Sequence, residues 1–160
     1  MPSKNKRIRV MAGPNGSGKS TLINRIRNNF FCRPFLNTDW IEHSFSEKGL
    51  LNLADFNLNL AKKSFDHVMK KKGASWVQKA NDTNTTVSIT FSNNNLVVID
   101  KPNAYDAAIA ADYVRYQLLE TDNTFTFETV LSHPSKINFL EAARDKGYKT
   151  YLYFICTVSP

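Results

Sequence analysis

The sequence is poor in cysteine and contains no long apolar run. Its two cysteines, Cys32 and Cys156, stand far apart and match neither a C-x-x-C pair nor a zinc spacing, so neither a disulfide framework nor a structural zinc site is indicated. No stretch approaches the length that crosses a membrane, and the basic first residues precede no apolar segment typical of a signal peptide. We therefore expect a soluble cytoplasmic protein with two free thiols and no membrane association.

Aromatic residues do not alternate with the basic ones, although the chain carries a formal charge of +7. Without such stacking positions we expect no nucleic-acid partner, and the excess charge indicates a solvated basic face and a smaller anionic ligand. At 160 residues the chain has the length of a single domain. Glycine is scarce as well, with six in the chain, yet three of them fall within "AGPNGSGKST", residues 12–21.

This stretch matches the phosphate-binding loop G-x-x-x-x-G-K-[ST], between a short apolar run and a helical pattern. Glycines let successive backbone N–H groups point inward at phosphate oxygens, and the helix that follows directs its positive end at the same anion. Lys19 is expected to reach the outer phosphates, Ser20 to ligate Mg²⁺, and Thr21 to contact the α-phosphate. The predicted nucleotide-binding residues are Gly13, Pro14, Asn15, Gly16, Ser17, Gly18, Lys19, Ser20 and Thr21.

Strand-like and helix-like segments alternate along the rest of the chain. Apolar spacing and turn residues predict strands at 7–12, 33–39, 124–130 and 148–155, and helices at 19–30, 40–47, 54–72, 105–120 and 134–147. The asparagine-rich segment 92–95 predicts a hairpin between β-type runs 86–91 and 96–100. Together these patterns predict a three-layer α/β fold of the P-loop NTPase type, in which helices cover a parallel sheet, with an inserted β-hairpin at about residues 73–103.

Two classes of P-loop protein compete for this pattern. "LVVIDKP", residues 96–102, is similar to the metal-binding strand of transporter ATPases, but Lys101 stands where those enzymes need a glutamate, and no "LSGGQ"-like signature precedes it. Asp100 is therefore interpreted as a turn residue rather than a Mg²⁺ ligand. A kinase needs a carboxylate near the transferred phosphate, and Asp39 and Glu128 each close a predicted strand at the edge where ligands bind in open α/β sheets. Either acid could instead be a helix cap or an ion-pair partner.

Four segments in this order resemble the zeta-toxin family of P-loop kinases: "RIRVMAGPNGSGKSTL", "LNTD", "FTFETVLS" and "AARDKGYKTYLYFICTVSP". The resemblance covers about residues 6–39 and 125–160. It implies transfer of the γ-phosphate of ATP, favoured over GTP, with Mg²⁺, to a hydroxyl of a small acceptor such as the amino sugar of UDP-N-acetylglucosamine. It further implies that Asp39 is the general base, that Lys19 and Ser20 serve ATP and Mg²⁺, that Glu128 and Thr129 contact the acceptor, and that an antitoxin protein is a candidate partner.

The sequence departs from the family at two positions and in its extent. Val130 and Ser132 stand where the toxins carry a threonine and an arginine, which opens the choice of acceptor. Family members continue past the equivalent of Pro160 into an arginine-bearing lid and a last strand, so the resemblance implies that both are missing from this sequence. Arg115 and Arg144 are expected at the surface of helices. The alternative function is a nucleotide-binding module or regulatory ATPase without kinase activity.

Overall fold

The computed structural model describes residues 5–132 and 134–156. The chain divides into two compact units: a first unit made of the segments before Asn37 and after Gln117, and a second unit that spans Asn37–Gln117. The strands are β1 (Arg7–Ala12), β2 (Phe35–Leu36), β3 (Leu50–Asn52), β4 (Ile89–Ser92), β5 (Asn95–Val98), β6 (Phe125–Thr129) and β7 (Lys149–Phe154). The helices are α1 (Lys19–Ile26), α2 (Thr38–Lys48), α3 (Lys62–Val68), α4 (Ala74–Asn81), α5 (Ala104–Glu120) and α6 (Ser135–Asp145).

The first unit contains a four-stranded sheet in the order β2-β6-β1-β7, and every pairing in it is parallel. This confirms the predicted α/β class with a parallel sheet. The strand β1 lies inside the sheet, between β6 and β7, so the loop that follows β1 emerges between two neighbouring strand ends. In open parallel sheets this edge is where ligands bind.

The two faces of this sheet are covered by different helices. On one face Val10 lies beside Phe127 in register, and the Phe127 ring meets Phe139 of α6 edge-on, with centroids 5.6 Å apart. On the other face Met11 packs in a buried cluster with Ile23 of α1. Fully burying a side chain of this size stabilises the fold by roughly 1.5–3 kcal/mol. The face to which a β1 or β6 residue belongs therefore decides whether it points toward α1 or α6.

A charged residue, Arg9, lies in the middle of this sheet and is only 6% exposed. Its guanidinium lies 5.5 Å from the centroid of the Phe30 ring and 5.8 Å from that of Tyr151, and Nη1 donates to the carbonyl oxygen of Phe31 at 2.7 Å. Aromatic rings beside a guanidinium replace part of its hydration by cation–π contact. The predicted helix 19–30 ends at Ile26, and Phe30, which is half exposed, contacts Arg9 instead of extending the helix face.

The strand β7 lies at one edge of the sheet and is largely exposed. It pairs with β1 on one side, and within the described part of the chain no strand pairs with its other side. Leu152 and Phe154 are each more than half exposed. The prediction that helices cover the sheet therefore holds for the inner strands but not for β7.

The second unit contains a three-stranded antiparallel sheet in the order β3-β5-β4. The strands β4 and β5 form the predicted hairpin, and its two-residue turn consists of Asn93 and Asn94, with φ of 47° and 59°. Asparagine tolerates this left-handed geometry better than most residues. The short strand β3 was not predicted, so the antiparallel part of the fold is larger than the inserted hairpin that the sequence indicates.

The predicted helix 54–72 is wrong in its first half. A 3-10 turn at Leu53–Phe56 ends at Asn57 in left-handed geometry, and α3 begins only at Lys62 and continues as a π-helical turn at Met69–Gly73. The side chain of Asn94 holds the intervening backbone, because Nδ2 donates to the Leu58 carbonyl at 2.9 Å and Oδ1 accepts from the Leu60 amide at 2.8 Å. These bonds satisfy the extended backbone that replaces the helix.

The predicted helix 105–120 is confirmed as α5. Its start is fixed by Asn103, whose side-chain oxygen accepts from the amide of Tyr105 at 2.9 Å, and by the fully buried Asp106, which accepts from the Asn103 and Ser88 amides. The expectation for Arg115 is wrong: it is 4% exposed and pairs with Asp112 one turn earlier. Burial lowers the pKa of the Arg115 guanidinium to about 10.

Both cysteines are free thiols, Cys32 buried and Cys156 exposed, as predicted. Within residues 5–132 and 134–156, no helix combines the length and the apolar character needed to cross a membrane.

Candidate phosphate-binding site

The glycine loop is anchored on both sides at the point where it leaves β1. The Gly13 amide donates to the Thr129 carbonyl of β6 at 3.3 Å, and the Ile155 amide, just after β7, donates to the Ala12 carbonyl at 2.8 Å. The sheet hydrogen bonds therefore continue to the first residue of the loop. Such an anchor fixes the position from which the loop turns back toward α1.

Three glycines shape the loop because their backbone conformations disfavour side chains. Gly13, Gly16 and Gly18 have φ of 146°, 76° and 89°. At Gly13 space is restricted as well, because a Cβ there would lie 2.4 Å from the Ile155 carbonyl oxygen and 2.9 Å from Ser17 Oγ. Gly16 and Gly18 face open space. The glycine at the loop root is thus required for close packing, and the two later ones for backbone conformation.

Lys19 is the first residue of α1, and its side chain curls back into the loop. It is 5% exposed, and Nζ donates to the carbonyl oxygens of Gly13 and Pro14 at 3.0 and 2.7 Å. Its ammonium also lies 3.7 Å from Oε1 of Glu128. A buried ammonium needs such partners because leaving water is costly. The positive charge is therefore held under the loop, on the side where phosphate oxygens would lie.

Among the described residues, no side chain caps the N-terminus of α1, which begins directly after this loop. Gly18 precedes the helix and provides no side-chain cap, and the first turn carries no acidic residue. Nearby, Ser17 Oγ is buried and has no hydrogen-bond partner within the described residues. Unpaired N–H groups and the helix dipole at such an end favour an anion. The loop, the helix end and Lys19 together fit a phosphate group.

Glu128 belongs to this site, because the strand register directs it toward α1. It pairs with Met11, whose side chain packs under α1, whereas the next residue, Thr129, pairs with Ala12 on the opposite face. The hydroxyl of Ser20 donates to Oε2 of Glu128 at 3.4 Å. The structure thus brings Glu128 to Lys19 and Ser20, which precede it by more than a hundred residues.

Thr129 contributes mainly backbone contacts. Its carbonyl holds Gly13, as described above, and its hydroxyl accepts from the Leu131 amide at 3.1 Å, where Leu131 adopts a φ of 55°. The hydroxyl therefore stabilises the turn after β6. Its predicted role in binding an acceptor stays a prediction.

The predicted strand 33–39 is wrong in its second half. The strand β2 ends at Leu36, and Asp39 lies in the first turn of α2 instead of closing a strand. The cap of α2 is Asn37, whose Oδ1 accepts from the Trp40 amide at 3.1 Å. Asp39 is therefore an exposed residue of the first helical turn and not the cap. The neighbouring Trp40 is 45% exposed and meets Phe56 edge-on.

Asp39 belongs to the second compact unit. Its position near the terminal phosphate, and with it the role of general base, stays a prediction. The helix start gives its carboxylate a favourable electrostatic position, since acidic groups are stabilised in the first turn.

The candidate strand "LVVIDKP" is not part of the parallel sheet. Residues 95–98 form β5, the central strand of the antiparallel sheet in the second unit, and Asp100 lies exposed in the bend that follows. The strand that neighbours the loop strand on its carboxylate-bearing side is β6 instead. This arrangement disfavours the transporter-type interpretation and agrees with Asp100 as a turn residue.

No group of three His, Cys, Asp or Glu side chains converges among residues 5–132 and 134–156 in a way that could hold a metal ion by itself. Mg²⁺ does not need such a cage, since it commonly takes one or two protein oxygens and completes its shell with waters and substrate phosphates. Ser20 and Glu128 supply two oxygens side by side, so the residues present fit a phosphate-dependent Mg²⁺ site.

No family model, curated protein or solved structure matches this chain. The structure defines an α/β protein in which a glycine-rich loop leads from an inner parallel strand into a helix. The motif predicted the loop, and the position of Glu128 at the end of a strand predicted that it lies at the same edge of the sheet; its contact with an acceptor stays a prediction. The contacts of Glu128 with Lys19 and Ser20 depend on the strand order, in which β6 lies next to β1, and no pattern in the sequence reveals that order.

Proposed function

We propose that this chain binds the Mg²⁺ complex of a nucleoside triphosphate, with ATP favoured over GTP, and transfers the γ-phosphate to a hydroxyl of a small acceptor, as a kinase of zeta-toxin type. The observation that carries the proposal is Lys19, 5% exposed and held by two carbonyls of a glycine loop at the N-terminus of α1. Resemblance to the zeta toxins makes a UDP-linked amino sugar the first acceptor to test.

The loop residues account for the nucleotide half of the reaction. On binding, phosphate oxygens would take the place of the loop carbonyls as partners of Lys19, and backbone N–H groups of residues 15–20 would complete the cradle. Thr21, exposed in the first turn of α1, is the further hydroxyl within reach of the α-phosphate. Mg²⁺, when bound, neutralises charge on the phosphate oxygens during transfer.

The acceptor half rests on Asp39. In this proposal the acceptor oxygen attacks the γ-phosphorus, the bond to the bridging oxygen of the nucleoside diphosphate breaks, and the acceptor proton passes to the Asp39 carboxylate. Asp39 is exposed and so is accessible to a bound acceptor. A positioned base of this kind contributes about 10²–10⁴-fold to the rate.

The test compares Asp39→Asn with Glu47→Gln, a matched loss of one carboxylate on the exposed side of the same helix. Each protein is incubated with γ-labelled ATP, Mg²⁺ and UDP-N-acetylglucosamine, and its nucleotide affinity is measured by calorimetry. We expect Asp39→Asn to lower transfer about 10²–10⁴-fold with nucleotide affinity nearly unchanged, and Glu47→Gln to change neither.

Three results would count against this scheme in different ways. Transfer that survives in Asp39→Asn would refute the base assignment alone. Release of labelled phosphate by the parent protein without any labelled acceptor would favour a regulatory ATPase. A parent protein that binds no nucleotide would refute the proposal as a whole.

A further inference from the structure

We propose that Glu128 is the carboxylate that binds Mg²⁺ at this site, together with the Ser20 hydroxyl, rather than a residue that contacts the acceptor. This inference rests on the proposed binding of a nucleoside triphosphate. Glu128 lies on the strand next to β1, on the face covered by α1, and its side chain is 11% exposed. A carboxylate in this position faces the phosphate loop from the neighbouring strand.

The two oxygens that would hold the metal already lie close together. Oε2 of Glu128 and Oγ of Ser20 are 3.4 Å apart. Mg²⁺ holds its oxygens at about 2.1 Å in an octahedron, which puts oxygens at adjacent corners about 3 Å apart. Closing the gap requires a movement of only a few tenths of an ångström. Ser20 keeps its proton as a ligand and turns a lone pair toward the cation.

Glu128 also lies next to a positive charge. Oε1 lies 3.7 Å from Nζ of Lys19, which itself contacts two carbonyl groups of the loop. One carboxylate therefore borders both the cation that would meet the phosphates and the hydroxyl that would meet the metal. A carboxylate that shares a cation with the loop hydroxyl, beside the lysine that meets the phosphates, is the arrangement by which P-loop enzymes hold Mg²⁺ at the β- and γ-phosphates.

Two other side chains with oxygen atoms, those of Thr129 and Asp100, are placed differently. Thr129 pairs with Ala12 on the opposite face, and its hydroxyl accepts from the Leu131 amide. Asp100 follows β5 in the other sheet. Within the described residues of the first unit, Glu128 is the carboxylate that the strand register brings to Ser20.

The experiment measures how strongly Mg²⁺ increases the affinity for ATP, by titrating each protein with ATP in excess Mg²⁺ and again in EDTA. The variants are Glu128→Gln and Ser20→Ala, and the control is Glu120→Gln, which removes another carboxylate of the first unit that pairs with a lysine, Lys146, at 2.8 Å. Binding of Mn²⁺ in the presence of ATP, followed by electron paramagnetic resonance, reports the metal directly.

We expect Glu128→Gln and Ser20→Ala each to lower affinity for the metal about ten- to hundredfold, while ATP binding in EDTA is retained. Removing the Glu128 charge leaves Lys19 without a competing carboxylate, so we expect ATP binding in EDTA to be equal to or stronger than that of the parent protein. The double variant should lose little more than either single one, since both act on one cation. Glu120→Gln should behave like the parent protein.

Two results would overturn the inference while leaving nucleotide binding intact. If Glu128→Gln and Ser20→Ala keep the full Mg²⁺ effect, Glu128 is not a metal ligand. If Glu128→Gln weakens ATP binding equally with and without Mg²⁺, it acts by positioning Lys19. A parent protein that binds no ATP under either condition would overturn the proposed function, and this inference with it. If Glu128→Gln does not fold, Glu128→Asp takes its place, because it keeps the charge near Lys19 but shortens the side chain, and an undiminished Mg²⁺ effect in that variant would overturn the inference.

Discussion

Replacing Gly13 with alanine should destabilise the protein more than the same replacement at Gly16. Both glycines lie in the phosphate loop with positive φ, 146° and 76°. They differ in the space around them, since a Cβ at Gly13 would lie 2.4 Å from the Ile155 carbonyl oxygen, whereas a Cβ at Gly16 meets nothing within 4 Å. The pair therefore separates the effect of close packing from that of backbone conformation.

The expected magnitudes follow from these two terms. A residue with a side chain at an unfavourable positive φ costs about 1–3 kcal/mol. At Gly13 the new methyl group must also displace Ile155, whose amide bonds to Ala12 at 2.8 Å, and losing such a hydrogen bond adds about 1 kcal/mol. We expect a loss of about 2–4 kcal/mol in the free energy of unfolding for Gly13→Ala and about 1–2 kcal/mol for Gly16→Ala.

The assay is urea denaturation followed by circular dichroism, with ATP affinity measured on the folded variants. Gly49→Ala provides a control outside the loop, because Gly49 has a φ of 69° and likewise faces open space. It should resemble Gly16→Ala in stability but leave ATP affinity unchanged. If Gly13→Ala is no less stable than Gly16→Ala, the close approach of Ile155 to the loop does not exist in solution and the described loop root is wrong.

Two further predictions concern stability away from the loop. The buried hydroxyl of Tyr148 donates to carbonyls in the last turn of α5, and burial, followed by nearby acidic groups, raises its pKa to about 12 from 10. Because the folded pKa is the higher one, this stabilisation is complete below pH 10 and is lost as pH rises to 12. At pH 7 we expect the free energy of unfolding of the parent protein to be about 1 kcal/mol higher than that of Tyr148→Phe, and this difference should shrink above pH 10. A difference that does not change with pH would refute the burial of the hydroxyl. Asn94→Gly keeps the turn conformation but removes the hydrogen bonds to Leu58 and Leu60, so we expect it to lower the free energy of unfolding by about 2 kcal/mol. Asn93→Gly, the control, should lower it by less than about 0.5 kcal/mol, and both values are measured by urea titration. Equal losses would show that the Asn94 side chain does not hold the segment.

The parts of the fold that depend on local sequence could be predicted. The strand β1, the glycine loop and the start of α1 follow from neighbouring residues, because the conformation of each glycine and the apolar spacing beside it are local properties. The same holds for α6 and for the hairpin turn at Asn93 and Asn94. These elements match the prediction within a few residues.

The parts of the fold that depend on residues distant in the sequence could not be predicted. The helix expected at 54–72 is interrupted where Asn94, thirty-four residues from Leu60, holds the backbone. The strand β3 is only three residues long and exists through its pairing with β5. In both cases a tertiary contact overrides the local preference, which no pattern within the segment reveals.

The site was predicted in part for the same reason. Lys19 and Ser20 were found from the motif, but the contacts of Glu128 with both depend on β6 being the neighbour of β1. A helix cap was one alternative for Asp39, but the cap is Asn37, since both residue types cap helices well and only the backbone shows which one precedes the helix.

The open side of β7 has a consequence for handling the protein. In a parallel edge strand, alternate residues turn their N–H and C=O groups away from the sheet. Because the amides of Lys149 and Ile155 point inward to β1, those of Thr150, Leu152 and Phe154 point outward. The side chains of Leu152 and Phe154 are exposed beside them. Apart from Lys149 at its start, the described part of this border has none of the charges and prolines that commonly keep strand edges from pairing with one another. Binding should therefore be measured on dilute samples whose monomeric state has been checked by light scattering, so that the data report the monomer and not an aggregate.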